Sequence, residues 1–117
     1  MPHVVLTGVV ALEDIFQELK PLLIKNDKDI LRTMDVYLGR GNNSILIESL
    51  AIEGGRKATF LTLITSRDDG IVVRLYPKFE VEKTEGVKRI LAEQAKQLLW
   101  TFPGLKVGET NLAQYLG

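Results

Sequence analysis

Four apolar, β-branched runs alternate with three short turns between Ile30 and Val81, and this alternation constrains the fold more than any other feature of the chain. The runs are DILRTMDVYL, SILIESLAI, ATFLTLITS and IVVRLYP, and the turns are GRGNN, EGGRK and RDDG. Connections this short join only antiparallel neighbours, so the middle of the chain predicts a four-stranded meander.

The turns also predict the register. Gly54-Gly55 as a two-residue loop sets Glu53 opposite Arg56 and Ala51 opposite Ala58, because paired glycines supply the positive φ of a tight hairpin. Asp68-Asp69 as the next loop sets Ser66 opposite Ile71, and Gly41-Asn42 as the first sets Leu38 opposite Ile45. The three choices agree. One face then reads Ile30, Met34, Val36, Leu38, Ile45, Ile47, Ser49, Ala51, Ala58, Phe60, Thr62, Ile64, Ile71, Val73 and Leu75, with Arg32 the one misfit. A one-residue slip would mix this face with the other.

Helical periodicity flanks the meander. After a short apolar strand over His3 to Val10, the residues Leu12, Ile15, Phe16, Leu19, Leu22 and Leu23 fall on one helical stripe, with Glu13 and Asp14 in the first turn. Pro21 breaks it: either the helix stops at Lys20 or a second short helix starts with Pro21 in its first turn. A second helix is expected over Thr84 to Thr101, capped by Thr84, with Val87, Leu91, Gln94, Ala95, Leu98 and Leu99 buried. Pro103-Gly104 ends it, and the tail carries spaced apolar residues that should lie on the body. The reading is one α+β domain, residues 1–117. Its sheet is mostly antiparallel, four- to five-stranded, in the order β-α-β-β-β-β-α, with the helices packed on one face. Strongly curved, such a sheet resembles a small helix-grip cup, a likeness of architecture with no motif behind it.

Composition closes several routes to function. Fifteen basic and fifteen acidic residues balance, so net charge offers no argument for nucleic acid or an anionic membrane. The chain has no cysteine, which removes disulfides, thiolate nucleophiles and cysteine-held metals. No basic leader or membrane-length apolar run is visible, and a cytoplasmic location is the default expectation. The one histidine, His3, sits beside the terminus and reads as a surface residue. No phosphate-loop, zinc-protease or calcium-loop pattern occurs, and no metal or cofactor is expected.

Candidate chemistry gathers on the second sheet face, where Leu46, Leu50, Ile52, Leu61 and Leu63 would leave a contiguous apolar patch. In the same register Asp35 stands opposite Glu48. Two partly desolvated carboxylates held together are the physics behind acid/base pairs and metal sites. Tyr37, Arg74 and Tyr76 share this face as ligand-binding candidates, Arg74 as an anion anchor and Tyr76 as a hydrogen-bond donor. A second candidate lies at one end of the sheet, where the first and third loops bring Arg40 and Arg67 to the same side, with turn amides to help hold an anion.

The leading expectation is a non-catalytic binding or assembly module that forms a homo-oligomer, a dimer, through the second face. The alternative is a small-ligand pocket or enzyme on that face, using Asp35 and Glu48 with Arg74 and Tyr76.

Overall fold

A computed structural model describes residues 1–117. The elements in chain order are β1 (His3–Thr7), α1 (Leu12–Glu18), β2 (Leu23–Asn26), β3 (Asp29–Leu38), β4 (Ser44–Glu53), β5 (Arg56–Arg67), β6 (Gly70–Leu75), α2 (Glu85–Thr101) and β7 (Lys106–Thr110). A single turn of 3₁₀ helix, Ala113–Tyr115, ends the chain. The seven strands form one curled antiparallel sheet in the order β2-β3-β4-β5-β6-β1-β7.

The α+β class and the meander agree with the sequence. The expected count of four or five strands is too low, because β2 and β7 were not anticipated. Pro21 accounts for the first. It cannot supply the N–H a helix needs, and it pushes the residue before it toward extended backbone. The chain is already extended at Leu19 (φ −62°, ψ 133°), so no second helix forms and residues 23–26 pair with β3 instead. Leu22 and Leu23 therefore belong to no helical stripe, and Leu23 is exposed on the sheet's edge. The second new strand, β7, pairs with β1 along Thr7 to Val4, and Thr110 and Asn111 bond the His3 backbone from there.

The hairpin registers stand as expected on β4, β5 and β6. Glu53 pairs with Arg56, Ala51 with Ala58, Ser66 with Ile71, and Leu38 with Ile45. Gly54 and Gly55 both take positive φ, +57° and +84°, the signature of the tight turn.

The face assignment fails in the first half of β3. A bulge lies between Thr33 and Val36, where Met34 and Asp35 together span the place opposite Glu48. The extra residue moves every earlier side chain of β3 to the other face. Leu31 and Thr33 point inward and are buried, whereas Arg32 is exposed. Arg32, the misfit of the expected inner face, is thereby returned to water.

Both helices pack on the inner face. Leu12 and Ile15 of α1 and Val87, Ile90, Leu91, Ala95 and Leu98 of α2 join Ile45, Ile47, Ile64, Ile71 and Val73 in one hydrophobic cluster. Thr84 caps α2 by accepting from the Val87 N–H at 3.2 Å. Gln97 ties α2 to the extended turn after α1: its carbonyl accepts from the Lys20 N–H and its amide donates to the Lys20 carbonyl. Neither helix packs on the outer face.

Candidate functional site

Strand pairing lines up the outer-face side chains in rows across the sheet. The central row runs Tyr37, Leu46, Leu63, Arg74, His3, one residue from each of β3, β4, β5, β6 and β1. The next row holds Glu48 beside Leu61, with Asp35 at the bulge on one side. On the other side Tyr76 donates its N–H to the Leu61 carbonyl at 3.0 Å and so prolongs the ladder past β6. Leu63 is only 6% exposed and Val5, on β1, only 2%, although both lie outside the helix-side cluster. The face thus has a largely dry centre of its own.

One flank of this centre is acidic. The bulge sets Asp35 beside Glu48 rather than squarely opposite it, with Asp35 exposed and Glu48 half-buried. Tyr37 registers their field. Its phenol is held above the usual tyrosine value, first by loss of water and then by the negative charges of Glu48 and Asp35. The three expected residues Asp35, Glu48 and Tyr37 therefore do come together.

The other flank carries Arg74 and the facing pair His3 and Glu109. Arg74 has its Nε buried with no hydrogen-bond partner, and no carboxylate of its own chain lies within ion-pair distance. Its row neighbour His3 faces Glu109, with Nε2 3.8 Å from the carboxylate. Two strand spacings and one step along the strand separate Arg74 from Glu48, about 12 Å between backbones. The acid pair and the arginine expected to serve one pocket thus stand on opposite sides of Leu61 and Leu63.

A cleft of about 320 Å³ opens next to Glu48, lined by Met34, Glu48, Thr59, Leu61, Phe79 and Glu80 among others. Tyr76 packs its ring 5.5 Å from Phe79 at a tilt, outside the lining, and Arg74 is also outside it. Sequence reasoning missed Phe79 and Glu80, which lie in the irregular segment after β6. The signal available was an aromatic among charges, PKFEVEK, too common a pattern to single out.

The loop candidates do not form a site. Arg67 bonds Asp69 within its own turn, Nε to carboxylate at 2.7 Å, and Arg40 sits exposed in the first loop. The phosphate-cradle appearance of GRGNN resolves into a hairpin corner, with Gly41 at φ +83° and Asn42 at φ +58°. No three of the histidine and carboxylate side chains come together as a metal-holding group, and no helix is long and apolar enough to cross a membrane. Comparison with family models, with curated proteins and with solved structures finds no significant match to this chain.

Proposed function

We propose that the chain is a non-catalytic cytoplasmic assembly module that binds a second copy of itself through the outer face of β4, β5 and β6. One observation carries this reading. On the face away from the helices, half-buried Leu46, Leu50 and Leu61 surround buried Leu63, with an arginine beside them that its own chain leaves unpaired. Apolar patches flanked by polar groups are where soluble proteins meet partners. Native mass spectrometry of the purified chain, at micromolar concentration, tests it directly. A dimer is expected, and Leu61→Asp should return a monomer whose circular dichroism is unchanged. A wild-type monomer sinks the proposal.

The cleft beside Glu48 supports a second reading, a small-ligand pocket. Its volume is at the lower end of ligand sites, and its lining offers two carboxylates and no basic residue. The ligand it suits is a small amine with an apolar body, not the anion for which Arg74 was expected to serve. Glu48 and Glu80 are its charge partners, and Asp35, outside the lining but beside Glu48, completes an acid/base pair if the site is an enzyme's. A thermal-shift screen of small amines tests this. If Asp35→Asn and Glu48→Gln alter no ligand response and only stabilise the fold, the pocket reading fails.

A further inference from the structure

We propose that the second copy docks about a two-fold axis running along β5, so that Arg74 of each chain meets Glu48 of the other. This inference rests on the assembly reading above and specifies its geometry.

Arg74 and Glu48 stand on the outer face with opposite charges, and their own chain pairs neither. Arg74 on β6 has a buried Nε without an acceptor, and Glu48 on β4 has no cationic partner. Leu61 and Leu63 of β5 lie between the two flanks. An arginine on one side of the apolar midline and a glutamate on the other each find their complement on a second copy of the same face, which is what a two-fold interface requires.

Two orientations of an in-plane axis can be compared. An axis across the strands lays β6 on β6 and β4 on β4, so like charges share a strand and the apolar rows gain nothing in exchange. An axis along β5 exchanges β4 with β6. Arg74 then lies over the partner's Leu46, one step along the strand from Glu48 of the partner subunit, and Tyr76 lies over that glutamate. Tyr37, half of whose surface is exposed, lies over the partner's His3. Leu61, half-buried in the single chain, meets its own copy on the axis. Facing sheets stand about 10 Å apart, a gap that an arginine and a glutamate bridge from opposite sides. The contact gives the Arg74 guanidinium, which has no carboxylate in its own chain, an opposite charge as a charge-assisted hydrogen bond.

A charge exchange tests the axis. Arg74→Glu alone sets glutamate against glutamate twice in the dimer, and Glu48→Arg alone sets arginine against arginine twice. Each single variant should dimerise at least about tenfold more weakly than the wild type. An equimolar mixture should restore a heterodimer, because both contacts become opposite in sign. The mixture is run at physiological salt, where screening beyond about 8 Å removes a merely general attraction between the variants. Restoration also shows that both variants are folded. If the wild type dimerises but the single variants dimerise equally well, or the mixture restores nothing while circular dichroism shows both folded, the axis is wrong and the assembly reading stands. If the wild type is a monomer, the assembly reading itself has failed.

Discussion

Glu53 closes over Gly86. Its carboxylate accepts the Gly86 N–H at 2.8 Å and the Thr84 hydroxyl at 2.5 Å, so the end of the β4–β5 hairpin supplies the negative charge at the start of α2. A helix N-terminus has free N–H groups and a positive dipole end, and one carboxylate here answers both.

That contact makes Gly86→Ala destabilising, against the usual trend. Alanine ordinarily gains about 1 kcal/mol over glycine in a helix. Here its Cβ would stand 2.5 Å from the Glu53 carboxyl carbon, so either the carboxylate swings away or the helix shifts. Urea unfolding should show a loss of about 1–2 kcal/mol, the worth of a cap. In a Glu53→Ala background the same change should turn neutral or stabilising. A stabilising Gly86→Ala in the wild type would contradict the contact.

Ser49 and Thr62 form a buried hydroxyl pair at 2.9 Å on the inner face, with Ser49 also donating to the Ile47 carbonyl; they are 1% and 0% exposed. Opposing hydroxyls amid isoleucines are stable only while each satisfies the other. Ser49→Ala alone should cost about 1–3 kcal/mol, because Thr62 keeps a buried hydroxyl with no partner. Adding Thr62→Val should recover most of that loss. The cycle is read from midpoints of chemical denaturation, and additive losses would mean the two hydroxyls act independently.

The tyrosines make stability fall on the alkaline side. Tyr115 is raised first by its hydrogen bond to Glu85, then by burial and by the Glu85 charge, while Gln114 and Arg89 pull it down; Tyr37 is raised for the reasons already given. A folded-state value above the unfolded one means the native chain holds the proton longer. The stabilisation is therefore full below the unfolded tyrosine value, near pH 10, and is lost as pH climbs through the folded value. Ultraviolet titration of the phenols should show Tyr115 ionising earlier in Glu85→Gln, and Tyr37 earlier in Glu48→Gln. An unchanged titration in Glu48→Gln would remove the acidic flank from the picture of the outer face.

The meander was legible because turn chemistry is local: two glycines at a hairpin tip dictate both φ and register. The seven-stranded sheet was not. Leu22 and Leu23 satisfy a helical stripe on paper, and only the weight given to Pro21 separates that reading from a strand. For β7, the sequence KVGET has no alternation to reveal it, and its pairing depends on β1, a hundred residues away. The site was half legible. Register brought Asp35, Tyr37 and Glu48 together, but which charges remain unpaired depends on side-chain reach. The bulge at Met34 and Asp35 left one trace, Arg32 on an otherwise apolar list, and a regular strand offers no way to remove it.

The bulge can be tested through the two residues whose roles it reverses. A regular β3 would point Arg32 into the core and leave Thr33 in water. In the structure Thr33 is 3% exposed, and its hydroxyl accepts the Leu22 N–H at 2.8 Å while its own N–H bonds the Leu22 carbonyl at 3.0 Å. This pair carries the β2–β3 ladder one step past Leu23. Thr33→Val keeps the shape and removes the acceptor, so it should cost about 1–3 kcal/mol by stranding the Leu22 N–H. Arg32→Ala should stay within about 0.5 kcal/mol, as for other exposed positions. Amide exchange adds an independent reading, because the Leu22 amide should lose protection in Thr33→Val and keep it in Arg32→Ala. The opposite ranking of the two substitutions would require a regular strand, with Arg32 returned to the inner face and the acidic flank at Asp35 redrawn.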